Sequence, residues 1–109
     1  MAPSDEIQLD EVVEAIRTCR IKIVNRQKNQ ETRLRLGITT YEQEEMVRGL
    51  TQRDYCEGPL DDRDAILGGK LWVFKTVSVG HPIYIKVKVI DIENGHKIVK
   101  AISCHIDYM

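Results

Sequence analysis

Ile83-Tyr84-Ile85-Lys86-Val87-Lys88-Val89-Ile90-Asp91-Ile92 alternates aliphatic with aromatic or charged residues over most of its length. Side chains of a β-strand point to opposite faces in turn. Ile83, Ile85, Val87 and Val89 are therefore expected to line a core, and Tyr84, Lys86 and Lys88 to share the open face. A slip of one residue would bury the lysines, so the pattern fixes the strand's orientation. Leu71 to Val79, apolar and rich in β-branched residues, predicts a preceding strand, joined through a turn at Gly80-His81-Pro82. Asn94-Gly95 is a two-residue hairpin signal, and Lys97 to His105 reads as the last strand. The second half is thus expected to be a three-stranded antiparallel meander.

The first half reads as helices. Leu9, Val12, Val13, Ile16 and Cys19 recur at helical spacing, with Asp10, Glu11 and Glu14 outward near the start. Arg20-Ile21-Lys22-Ile23-Val24 switches to period two, as a short strand or an extended connector would. A second helix is predicted from Lys28 to Leu36, ended by Gly37. Thr39-Thr40-Tyr41-Glu42 has capping-box spacing and starts a third, running to about Gly49. Thr51-Gln52-Arg53-Asp54 predicts one more short turn, and Gly58-Pro59 with Leu60 to Gly69 a polar loop. The fold class expected is α+β: one domain over residues 1–109, its N-terminal helices packed on one face of a small antiparallel sheet.

Composition bounds the function classes. The chain has 109 residues, 42% of them apolar and 30% charged, an ordinary globular mix. Its net charge is −1, so bulk attraction to nucleic acid gives no argument, but the charges are segregated. Seven bases lie between Arg17 and Arg35 against Glu31 alone, and six lysines between Lys70 and Lys100 against Asp91 and Glu93. The two basic blocks would make a surface for a polyanion if the fold joined them. Cys19, Cys56 and Cys104 are odd in number and widely spaced, which predicts free thiols rather than a disulfide framework or zinc ribbon. No apolar run approaches the roughly 20 residues of a membrane helix, and the start lacks signal-peptide character, so a cytoplasmic protein is expected.

Tyr84, Lys86 and Lys88 on one face suit RNA, since a phenol stacks or carries a proton and ammonium groups hold phosphates. His105, near the end of the last strand, is the titratable candidate for a general acid or base if it shares that face. Arg26, Arg33, Arg35 and Lys75 are the candidates for guiding the strand. Asp61, Asp62 and Asp64 lack the glycine and distal glutamate of a calcium loop, and His105-Ile106-Asp107 supplies too few ligands for a metal. No metal or cofactor is expected.

Leu50-Thr51-Gln52-Arg53-Asp54-Tyr55, Gly58-Pro59 with an acidic loop, Trp72-Val73-Phe74, Ile83-Tyr84-Ile85-Lys86 and Ser103-Cys104-His105, in that order, resemble the MqsR-type toxins of bacterial toxin–antitoxin pairs. The resemblance covers roughly residues 9–109. It implies a RelE-like fold, a metal-independent endoribonuclease acting on mRNA, and a cognate antitoxin with a zinc-binding domain and a helix-turn-helix domain. The family's tyrosine falls on Tyr84, its lysine on Lys86, and a C-terminal basic residue, lysine in the best-characterised relatives, on His105. Glu57 stands where relatives have lysine, and Val73 where they have glutamine. A catalytically degenerate RNA- or protein-binding module on the same scaffold therefore stays open beside the toxin reading.

Overall fold

A computed structural model describes residues 8–63 and 69–108. In chain order its elements are α1 (Leu9–Thr18), β1 (Arg20–Ile23), α2 (Gln27–Leu36), α3 (Thr40–Arg48), a 3₁₀ turn (Gln52–Asp54), β2 (Tyr55–Asp61), β3 (Lys70–Ser78), β4 (His81–Asp91), a second 3₁₀ turn (Glu93–Gly95) and β5 (Lys97–Ile106). The α+β class and its order, helices first and strands last, are as the sequence predicts. The sheet is larger than expected and mixed: its order is β1-β5-β4-β3-β2, with β1 parallel to β5 and the other pairs antiparallel. Arg20–Ile23 is thus a true strand, and Tyr55–Asp61 is an edge strand whose second half, from Gly58, was expected to be loop. Two register shifts interrupt β2, which is why its alternation is hard to see in the sequence. Asp64 and much of the predicted loop lie outside the described residues. Among those described, no helix is long and apolar enough to cross a membrane.

The core lies on one sheet face. Val12, Val13, Ala15 and Ile16 of α1 and Val47 of α3 pack there against Ile21, Ile23, Trp72, Phe74, Ile85 and Val87. Capping works at α3 as its spacing predicts: the Glu42 N–H donates to Thr39 Oγ1 at 3.0 Å, and the Thr39 N–H to Glu42 Oε1 at 2.9 Å. The turns differ from their sequence signals. β3 and β4 pair through to Ser78 and His81, so the hairpin loop is Val79-Gly80, with φ of 51° and 76°. Positive φ at both loop residues matches the right-handed twist of the strands. Asn94 and Gly95 also have positive φ, but they sit inside a longer connection after the last pair, Asp91 with Lys97.

One irregularity decides what faces what. Val87 pairs with Ala101 but Lys86 with Ser103, so Ile102 is the extra residue of a bulge in β5. A bulge shifts the two-residue alternation by one. Val99 and Ala101 before it and Cys104 and Ile106 after it all reach the core. Lys100, Ser103 and His105 consequently share the opposite face with Lys88, Lys86 and Tyr84, their cross-strand partners.

β1 ends before the second half of β5, which would leave a buried strand edge unpaired. Side chains of α2 and α3 fill the vacancy, rung by rung. Asn29 Nδ2 donates to the Ile102 carbonyl at 3.1 Å, and Asn29 Oδ1 accepts the Cys104 N–H at 2.8 Å. Gln43 Nε2 donates to the Cys104 carbonyl at 2.8 Å, and Thr32 Oγ1 accepts the Ile106 N–H at 3.1 Å. Buried backbone groups must find partners. This need explains why α2 has almost no apolar stripe and buries Asn29 and Thr32 instead.

Candidate functional site: an open sheet face beside the start of α2

Tyr84 and His105 are direct cross-strand partners on β4 and β5. Their rings stack with centroids 5.3 Å apart and planes 20° from parallel. The next rung holds Lys86 opposite Ser103. These four line a cavity of about 540 Å³ whose far wall is the start of α2, from Arg26 to Asn29. The strand-mimicking bonds of Asn29 hold that wall in place, since the same side chain ties α2 to β5.

His105 is largely buried, yet one nitrogen has a defined partner: Nδ1 lies 2.9 Å from the Ile106 carbonyl. A carbonyl only accepts, so Nδ1 carries a hydrogen, and the neutral ring presents Nε2 as a bare acceptor. Such an imidazole can take a proton. The Tyr84 phenol is pushed above its ordinary value, first by burial and then by the negative charge of Glu57. It stays protonated at neutral pH and can donate. Lys86 is half-buried and makes no ion pair among the described residues, so its charge is available in the cavity.

The other candidates divide. Arg26 lines the cavity. Lys75 pairs with Tyr84 across β3 and β4, but its ammonium is held 3.5 Å from Asp107. Lys88, expected in solvent, is buried: only 7% of its side chain is exposed, and its ammonium lies 3.0 Å from Asp62. A Cβ on Gly69 would come within 2.7 Å of Lys88 Cε, so backbone covers the stem directly. Lys88 thus serves an internal ion pair, and alternation alone could not foresee a segment folding over the open face. Arg33 donates to Gln43 Oε1 at 2.7 Å and supports the strand-edge network. Arg35 is exposed and does not line the cavity.

Ser103 and Asn29 were missed in the sequence. The bulge hides the parity of Ser103, and the one available signal for Asn29 was a helix with too few apolar positions. Glu57 pairs with Val73, and Val73 with Lys86. The departures from the toxin pattern at Glu57 and Val73 therefore both fall in the rung of Lys86. Among the described residues no three His, Cys, Asp or Glu side chains converge as a metal site would require. The chain matches no protein-family model, no curated protein and no solved structure with which it was compared.

Proposed function

We propose that this face is the active site of an endoribonuclease that cuts single-stranded RNA by attack of a 2′-hydroxyl on the adjacent phosphate. The observation that carries the reading is the stacked Tyr84–His105 pair, with Lys86 one rung away in the same cavity. His105 Nε2 takes the proton of the 2′-hydroxyl, and the 2′-oxygen bonds to phosphorus. The bond from phosphorus to the 5′-oxygen breaks, and that oxygen receives a proton from the Tyr84 phenol. The product ends are a 2′,3′-cyclic phosphate and a 5′-hydroxyl. Lys86 stabilises the charge that grows on the phosphorane oxygens, where a preorganised cation acts most strongly. Arg26 holds the scissile strand at the rim. The ordered segments that resemble MqsR-type toxins add to this reading, and with it come mRNA as substrate and an antitoxin of the zinc-and-helix-turn-helix kind as partner.

The test is cleavage of an RNA oligonucleotide in excess EDTA, with a DNA of the same sequence as control. Cyclic phosphate ends and an intact DNA are expected. His105→Ala should slow cleavage by about 10²–10⁴-fold, the range of general acid–base catalysis. Tyr84→Phe keeps the stacked ring and removes only the donor, so it separates packing from proton transfer. Full activity in His105→Ala would end the assignment.

A second reading, a binding module without catalysis, is favoured by Glu57, whose negative charge acts on Tyr84 from the rung of Lys86. RNA binding with no cleavage would select it.

A further inference from the structure

The cations of the open face are not evenly spread. Lys22 on β1, Lys100 on β5 and Lys88 on β4 form one cross-strand row. In that row Lys88 is neutralised by Asp62, whereas Lys22 and Lys100 make no ion pair among the described residues. Arg20 lies two residues before Lys22 and therefore on the same face, and it too makes no ion pair among the described residues. β1 and β5 contain no Asp or Glu at all. On the opposite edge strand, β2, Asp61 is paired with Lys70, Glu57 makes no ion pair among the described residues, and the strand itself carries no Lys or Arg. A chain with a net charge of −1 thus presents a cationic row at the β1 edge and none on β2.

The cationic edge leads into the cavity. β1 runs on through Val24 and Asn25 to Arg26, which lines it. Four residues of strand separate the Lys88–Lys100 row from Tyr84, about 13 Å. At about 3.4 Å per nucleotide this is about four nucleotides of a stacked strand, and fewer of an extended one.

We propose that Arg20, Lys22 and Lys100 form a phosphate-binding track that carries RNA from the β1 edge to the Tyr84–His105 cavity, so that productive substrates extend several nucleotides to that side of the cut. β2, which holds Glu57 and no Lys or Arg, offers no matching track on the other side. The track rests on the reading of the cavity as an RNA site and adds to it a direction across the sheet and a minimum length.

A 2′-O-methyl oligonucleotide lacks the attacking hydroxyl, so its binding is measured without cleavage. Fluorescence anisotropy on a dinucleotide and an octanucleotide, over about 50–200 mM salt, reads the number of phosphates contacted. The octanucleotide should bind wild type more tightly and with the steeper salt dependence. In the double variant Lys22→Ala/Lys100→Ala its slope of log affinity against log salt should become shallower by about 0.7 for each lysine removed. Dinucleotide affinity should not change. An octanucleotide slope unchanged by the double variant would overturn the track. Cleavage of a DNA octanucleotide holding one ribonucleotide is scored in parallel. Track-dependent binding without cleavage would remove the nuclease reading and leave the track. Cleavage indifferent to both lysines would do the reverse, and neither binding nor cleavage would remove both.

Discussion

Asn29→Ala deletes a side chain that behaves as a piece of strand. Its amide serves the Cys104 N–H, the Ile102 carbonyl and the Val24 carbonyl. The Val24 carbonyl keeps a second partner in the Arg26 N–H at 2.9 Å. The other two groups are left orphaned in the interior, where Asn29 itself is 1% exposed. Each such orphan costs about 1–3 kcal/mol, so the variant should lose about 2–6 kcal/mol. That is a large share of the about 5–15 kcal/mol that stabilises a typical domain. Asn29→Asp is the sharper probe. It retains an acceptor for Cys104 but turns a second oxygen towards the Ile102 and Val24 carbonyls. Ionising it there is unfavourable, so its folded pKa should stand above the unfolded value of about 3.9. As pH rises through that value the unfolded chain releases the proton first, and stability falls until the folded carboxyl ionises as well. Urea unfolding followed by the fluorescence of Trp72, the sole tryptophan, measures both effects. An Asn29→Ala variant that unfolds with wild type, or an Asp variant whose deficit is the same at acid and neutral pH, would refute the strand-mimic argument.

Val79, β-branched and 66% exposed, holds a left-handed conformation that costs a non-glycine residue about 1–2 kcal/mol. Val79→Asn should therefore raise stability by about 0.5–1 kcal/mol in thermal unfolding; no gain would mean that Val79 makes a compensating contact. Lys88→Ala should cost more than about 1 kcal/mol, beyond a surface substitution, because it removes an ion pair whose side chains are only 7% and 17% exposed and empties the space under Gly69; a loss under about 0.5 kcal/mol would return Lys88 to the surface. Burial pushes the Cys104 thiol up to about 12. The unfolded thiol ionises first, so Cys104 should lower stability as pH rises from about 9 to about 12, and Cys104→Ala should flatten that decline in urea titrations. Iodoacetamide should meanwhile label exposed Cys56 in the folded protein and spare Cys104, as peptide mass mapping would show.

The sequence by itself determined the elements whose cause is local. The period of Leu9 to Cys19, the capping box at Thr39 and Glu42, and the alternation of Ile83 to Val89 each encode a conformation within a few residues. It also placed Tyr84 and Lys86 on one face, because a single uninterrupted strand carries both. What crosses between strands was decided only by the tertiary structure. His105 is odd-numbered like Val99 and Ala101, and simple alternation would have sent it into the core; the bulge at Ile102 turns it onto the face of Tyr84. Lys88 shares the parity of Lys86, yet backbone at Gly69 and the carboxylate of Asp62 bury it. β2 went unread because its register shifts twice, and Asn29 because a polar helix face has no periodic signature. In each case the deciding term is a contact between residues distant in the chain. Parity within a strand is a local property, but burial and pairing belong to whatever the fold sets alongside it.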